Sequence, residues 1–237
     1  MQKRGQVSTF IIVGLILALV IGLVFLITST KNKISSPTDS LSLKKGFSEK
    51  TINSCLDDLS LLTLINIGQK GGFLYTPKDY LFYEDNSIGI SYLQGKDNLP
   101  TLTQIEQDAE KFIKESFILC SGLAPKELNV DIKFSEDTLF LVEYVVEGKI
   151  KETNIKINSI YEQRYEVNLK RVHNDVKTYI KMLLNNNEAV DSKTLLSLKT
   201  KTNLEALGNK NFVVFFIDEE STLENNPYTF LLGVRIK

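Results

Sequence analysis

From Phe10 to Ile27 every residue is apolar or glycine. At 1.5 Å of rise per helical residue, these 18 positions span about 27 Å, close to the roughly 30 Å hydrocarbon core of a bilayer. A soluble amphipathic helix keeps a polar face, and none exists here across about five turns. A secretory signal is shorter, with about 7–15 apolar residues and an Ala-x-Ala-like end. This tract instead runs into Thr28, Ser29 and Thr30. It reads as a transmembrane helix over 6–29, with the lipid bilayer as a partner through residues 10–27.

The flanking charges set orientation only weakly. Lys3 and Arg4 stand on one side and Lys31 and Lys33 on the other, so the positive-inside count is nearly balanced. A short cytoplasmic N-terminus with the C-terminal domain outside is the simpler arrangement. The reverse topology, which keeps the domain in the cytoplasm, stays open.

Lys3-Arg4-Gly5-Gln6-Val7-Ser8, leading straight into an apolar helix, resembles the class III signal of archaeal prepilins and archaellins. The resemblance implies cleavage after Gly5 by a membrane-embedded aspartyl peptidase, leaving Gln6 as the new N-terminus. Phe10 stands where that family commonly carries Glu, and Gly14 where it commonly has Leu. A carboxylate within the membrane is costly unless a partner meets it, and in a pilus it helps to set subunit packing. Phe10 cannot do that, so the resemblance implies an archaeal-type exported protein more than a filament subunit. The Cys55 segment followed by Gln69-Lys70-Gly71-Gly72-Phe73, and Leu99-Pro100 before the Cys120 segment, resemble a group of uncharacterised archaeal membrane-anchored proteins. That resemblance implies no activity.

With 28 basic and 29 acidic residues the chain is nearly neutral, unlike a nucleic-acid binder with its clustered basic face. Cys55 and Cys120 are the whole cysteine inventory. In an exported domain they read as one disulfide closing a loop of about 65 residues, with about 4 kcal/mol of stabilisation on the chain-entropy model. Two buried free thiols are the alternative. Two thiols and a single histidine do not complete a structural zinc site, and no motif calls for a cofactor.

Residues 30–46 are rich in Ser and Lys and read as a linker. Residues 47–237 follow as an α+β domain with antiparallel sheet and packed helices. A helix is expected over 48–67 with Ile52, Cys55, Leu56, Leu59, Leu62 and Leu64 on its buried face. Strands are expected at 73–75 and 80–83, then a turn at 84–87 and a strand at 88–92. The resulting tyrosine-rich hairpin either covers a core or offers a carbohydrate or peptide platform. Thr103 and Glu106 suggest a capping box opening a helix to Cys120. Three antiparallel strands are expected over 129–134, 139–146 and a long alternating run from Ile155 to Leu169, with turns at 135–137 and 147–149. A helix from Arg171 to about Asn185, a short helical piece after Asp191 and a hairpin pairing 212–218 with 228–236 complete the pattern.

The sequence offers few candidates for catalysis. His173 lies among Arg171, Asn174, Asp175 and Lys177. Its nearest carboxylate, Asp175, is two residues on and points elsewhere on a helix, so a solvated or half-buried structural role is expected. Ser42 and Lys45 have Ser-x-x-Lys spacing but lie in the linker, without companion motifs. Phosphate-loop, nucleophile-elbow and zincin motifs are absent from the sequence, and Glu136, Asp137, Glu219 and Glu220 fall in expected turns. The expectation is a non-enzymatic, single-pass structural or binding protein of the cell envelope, with other envelope or surface proteins as further candidate partners. A processed pilin-like subunit and a cell-envelope hydrolase with dispersed acidic residues are the alternatives.

Overall fold

The computed structural model describes residues 48–122, 124–150, 153–186, 188–190 and 192–237. They belong to a compact unit spanning 47–237. The apolar tract, Gly5 and Gln6, the linker, and Ser42 and Lys45 lie outside the described residues. Among the described residues no helix is long and apolar enough to cross a membrane.

The elements are α1 (Glu49–Gln69), β1 (Tyr80–Tyr83), β2 (Asn86–Leu93), β3 (Lys96–Asp97), α2 (Leu102–Ser121), β4 (Glu127–Phe134), β5 (Thr138–Ile150) and β6 (Thr153–Tyr165). They continue with α3 (Leu169–Asn185), α4 (Ser192–Leu195), β7 (Lys201–Gly208), β8 (Asn211–Leu223) and β9 (Asn226–Arg235). This is an α+β fold.

Each long helix opens on a side chain that accepts from an orphan backbone amide: Ser48 from Thr51, Thr101 from Gln104 and Asn168 from Arg171. The capping box of α2 is Thr101 with Gln104, not Thr103 with Glu106. Thr101 directly follows Pro100 in extended geometry, and the Gln104 side chain returns to the Thr101 amide at 2.8 Å. Glu106 is thereby free to accept from the Phe134 amide at 3.0 Å, tying α2 to the end of β4.

Two sheets result. The smaller, β4-β5-β6, is antiparallel. The β5–β6 ladder runs unshifted from Thr138↔Tyr165 to Ile150↔Thr153, so the turn expected at 147–149 is strand. Glu147 there meets Lys126 and Lys156, both at 3.3 Å, and this charge pairing favours continued pairing over a reversal. Leu169, expected to end β6, belongs to α3. The larger sheet has the order β1-β2-β9-β8-β7, with β3 on β2. It is mixed, because β2 and β9 pair in parallel; everything between them in sequence is the crossover. Residues 73–75 are loop, since Gly71 and Gly72 hold positive φ and redirect the chain before β1.

One core joins both sheets and the three long helices, with Leu56, Ile113, Phe140, Val176 and Phe230 all fully buried. Helix α1 is bonded to both sheets. Tyr228 of β9 donates to the Leu64 carbonyl at 3.1 Å, Tyr144 of β5 to Asn53 at 2.8 Å, and Tyr161 of β6 to Asp57 at 3.0 Å. Leu62, expected on the buried face, is exposed.

A second, smaller core explains the hairpin. Leu81, Ile88 and Ile90 pack on Val213 and Leu231. Tyr83 stands edge-on to Phe215 at 5.7 Å and donates to Glu205 of β7 at 2.8 Å. A residue of β1 reaches β7, at the far end of the strand order, only because the β1–β2 hairpin folds back over the outer face of the sheet. The crossing needs backbones in contact: a Cβ on Gly233 would lie 2.6 Å from the Gly89 carbonyl oxygen.

Candidate functional site

Cys55, in the second turn of α1, and Cys120, in the last turn of α2, stand at disulfide distance, with Sγ atoms 1.97 Å and Cα atoms 5.3 Å apart. Cys120 is buried and Cys55 packs against the same core. The cross-link joins the first described helix of the domain to its neighbour.

His173 is buried rather than solvated. Its Nε2 lies 2.8 Å from the Pro100 carbonyl, an acceptor, so Nε2 carries the proton and donates. Burial holds its pKa below the usual histidine value. Asp175 turns away and accepts from the Lys199 amide at 2.7 Å and from the Thr200 amide and hydroxyl at 2.8 and 3.0 Å. The two residues do not form a catalytic pair; each fixes a loop to α3.

Glu219 and Glu220 lie within β8, not in a turn, inside the bulge between Asp218 and Thr222. They pair with Lys201 and Arg171 respectively. Sequence reasoning missed the group these glutamates adjoin. Asp218, 1% exposed, accepts from the Arg171 guanidinium at 2.7 Å and from the Ser221 hydroxyl at 2.6 Å, while Ser221 accepts from the Asn168 amide at 2.9 Å. The run Asp218-Glu219-Glu220-Ser221, which breaks the apolar alternation of β8, was the available signal. With its lone pairs occupied, Asp218 pins the start of α3 to the bulge. Glu136 and Asp137 occupy the β4–β5 turn, on the other sheet. Among the described residues, no three histidine, cysteine, aspartate or glutamate side chains converge as a metal would require.

The remaining chemistry is that of surfaces. Strand β1 divides its aromatics: Leu81 and Tyr83 face the second core, whereas Tyr80 and Phe82 form an exposed edge-on pair 5.5 Å apart. The outer face of β4-β5-β6 is also open. Ile160 is 63% exposed, and around it a shallow concavity of about 550 Å³ is lined by Glu127, Asn129, Glu143, Val145 and Asn158. A second concavity, of about 500 Å³, lies along the first turns of α1 beside Glu49, Lys50, Asn53 and Asp57. Carboxylates and amides around an apolar floor can hydrogen-bond and cover another surface. Neither concavity pairs a nucleophile with an oriented base. Compared with protein-family models, curated proteins and solved structures, the chain matches none.

Proposed function

We propose that the chain is a single-pass, membrane-anchored structural or binding protein of the cell envelope, with residues 47–237 outside the membrane. The observation that carries this reading is the Cys55–Cys120 pair at bonding distance in a domain that follows an 18-residue apolar tract. A disulfide persists in oxidising compartments and is rare in reducing ones, and the tract is long enough to span. The open outer face of the small sheet and the Tyr80–Phe82 pair are the surfaces such a protein would present. In cell fractionation, the full chain is expected to sediment with membranes and resist an alkaline wash, while residues 34–237 alone are soluble and folded. A full chain that is a soluble monomer without detergent overturns the reading.

The Lys3–Ser8 motif favours a second reading, a pilin-like subunit processed at Gly5. It requires a mature N-terminus at Gln6, no processing in Gly5→Val, and recovery of the protein in sheared filaments. Mass spectrometry that finds Met1 or Gln2 at the N-terminus of the membrane-bound protein removes it.

A further inference from the structure

We propose that β6 is the contact strand of a symmetric dimer, pairing antiparallel with β6 of a second copy about a two-fold axis at Ser159. The inference deepens the reading of the domain as a structural or binding module by naming its partner. It stands on residues 153–165 and does not depend on the anchor.

The free edges of the two sheets differ in how they are guarded. β1 has four residues. β7 has a register irregularity between Ala206 and Gly208, and the β4 edge is partly satisfied by Glu106 at the Phe134 amide. β6 carries none of these devices: it has 13 residues, an unshifted ladder on β5 and no described strand on its other side. It contains no proline, and its core-facing positions, Ile155, Ile157, Ser159, Tyr161, Gln163 and Tyr165, include no charge. A long, regular edge without an inward charge, bulge or proline is a template for another strand.

Its charge pattern selects the occupant. Within one copy Lys156 meets Glu147 and Glu162 meets Arg164, both at 3.3 Å. With the axis at Ser159, each Lys156 also faces Glu162 of the second copy, each Asn154 faces Arg164, and each Asn158 faces the exposed Ile160. On the core side, Ile157 faces Tyr161. Opposed residues must point to the same side of a sheet, so moving the axis by one residue slides the copies by two. An axis at Asn158 sets Lys156 against Ile160, and an axis at Ile160 sets Lys156 against Arg164, a like-charge pair. Only the Ser159 axis of these three forms two opposite-charge pairs directly across the seam, and it is isologous as a closed dimer requires. Ile160 and Asn158 also border the concavity on the outer face, so pairing at the β6 edge would set the outer face of the second copy beside that open surface.

The test uses the full chain in detergent, with single cysteines on the outer face. Asn158→Cys and Ile160→Cys proteins, mixed and mildly oxidised, are expected to give a disulfide-linked dimer that neither forms alone. Cross-linking of Asn158→Cys with itself, or of Ile160→Cys with itself, indicates another register and overturns the proposed axis. Absence of cross-linking in every combination overturns the dimer. By sedimentation, Glu162→Lys is expected to weaken association about tenfold and Lys156→Glu/Glu162→Lys to restore it, with circular dichroism verifying that each variant is folded. A folded double variant that associates no better than the single one overturns the seam. A failed membrane-fractionation test would leave these outcomes unchanged, so the two readings fail separately.

Discussion

The Tyr161 hydroxyl donates to Asp57 Oδ1 at 3.0 Å and lies 3.3 Å from Ser60 Oγ. The residues come from β6 and α1, more than one hundred positions apart. Asn53, Asp57, Ser60 and Leu64 form one stripe of α1, and tyrosines of both sheets bond to it. The first described helix is therefore held by directional bonds as well as by apolar burial. Tyr161→Phe removes the shared hydroxyl and leaves the fully buried Ser60 short of a partner. The expected loss is about 1–2 kcal/mol, read as a lower denaturation midpoint with an unchanged slope.

The buried phenols make the domain sensitive to base. Burial pushes Tyr165 and Tyr179 up to about 12, and Tyr161 and Tyr228 higher, against about 10 in an unfolded chain. A group whose folded pKa is raised contributes stability that is complete below the unfolded value and lost as pH rises toward the folded one. Stability should therefore hold to about pH 10 and fall between about pH 10 and 12. Phenolate absorbance should rise in step with unfolding. All nine tyrosines ionising near pH 10 in a folded chain would contradict this.

His173 works in the opposite direction. Its folded pKa is depressed by burial, so the unfolded chain takes up a proton first, and stability falls as pH drops below about 6.5. His173→Leu should be less stable near pH 7, through loss of the 2.8 Å bond to Pro100, and should show a flatter stability profile between pH 7 and 5. As the chain's single histidine, it makes the slope attributable.

Much of this arrangement was legible in the sequence. The periodicity of Ile52, Leu56 and Leu59, and of Val172, Val176 and Ile180, marked α1 and α3, and the alternation around Val142 and Tyr161 marked the small sheet. The misses have local causes. The capping box sits at Thr101 and not at Thr103, and the sequence does not reveal that Glu106 is needed by Phe134. Glu147-Gly148-Lys149 has turn composition, yet cross-strand lysines keep Glu147 in register. β7 was invisible because its residues are mostly exposed and its Leu204, Ala206 and Leu207 do not alternate with polar positions. The parallel β2–β9 pairing joins segments more than 130 positions apart, and nothing local encodes it. The same holds for Arg171 with Asp218. Neither open surface is marked by a motif, since each arises from which face of a strand stays uncovered.

Cys55 and Cys120 share one bond, and their substitutions should behave accordingly. Cys55→Ala and Cys120→Ala are each expected to cost about 4 kcal/mol, from a loop of 65 residues. The double variant should cost little more than either single change. Additive losses, or alkylation of both thiols in denaturant without reductant, would mark two independent buried thiols.

Labelling of the domain in intact cells tests the proposed topology most directly. Leu196 is 87% exposed, so a cysteine placed there is open to a thiol reagent without disturbing the core. With the parent chain as control, Leu196→Cys should react with a membrane-impermeant maleimide in intact cells, while the Cys55–Cys120 pair stays unlabelled in the absence of reductant. Labelling of Leu196→Cys only after the membrane is permeabilised would place the domain in the cytoplasm and contradict the account.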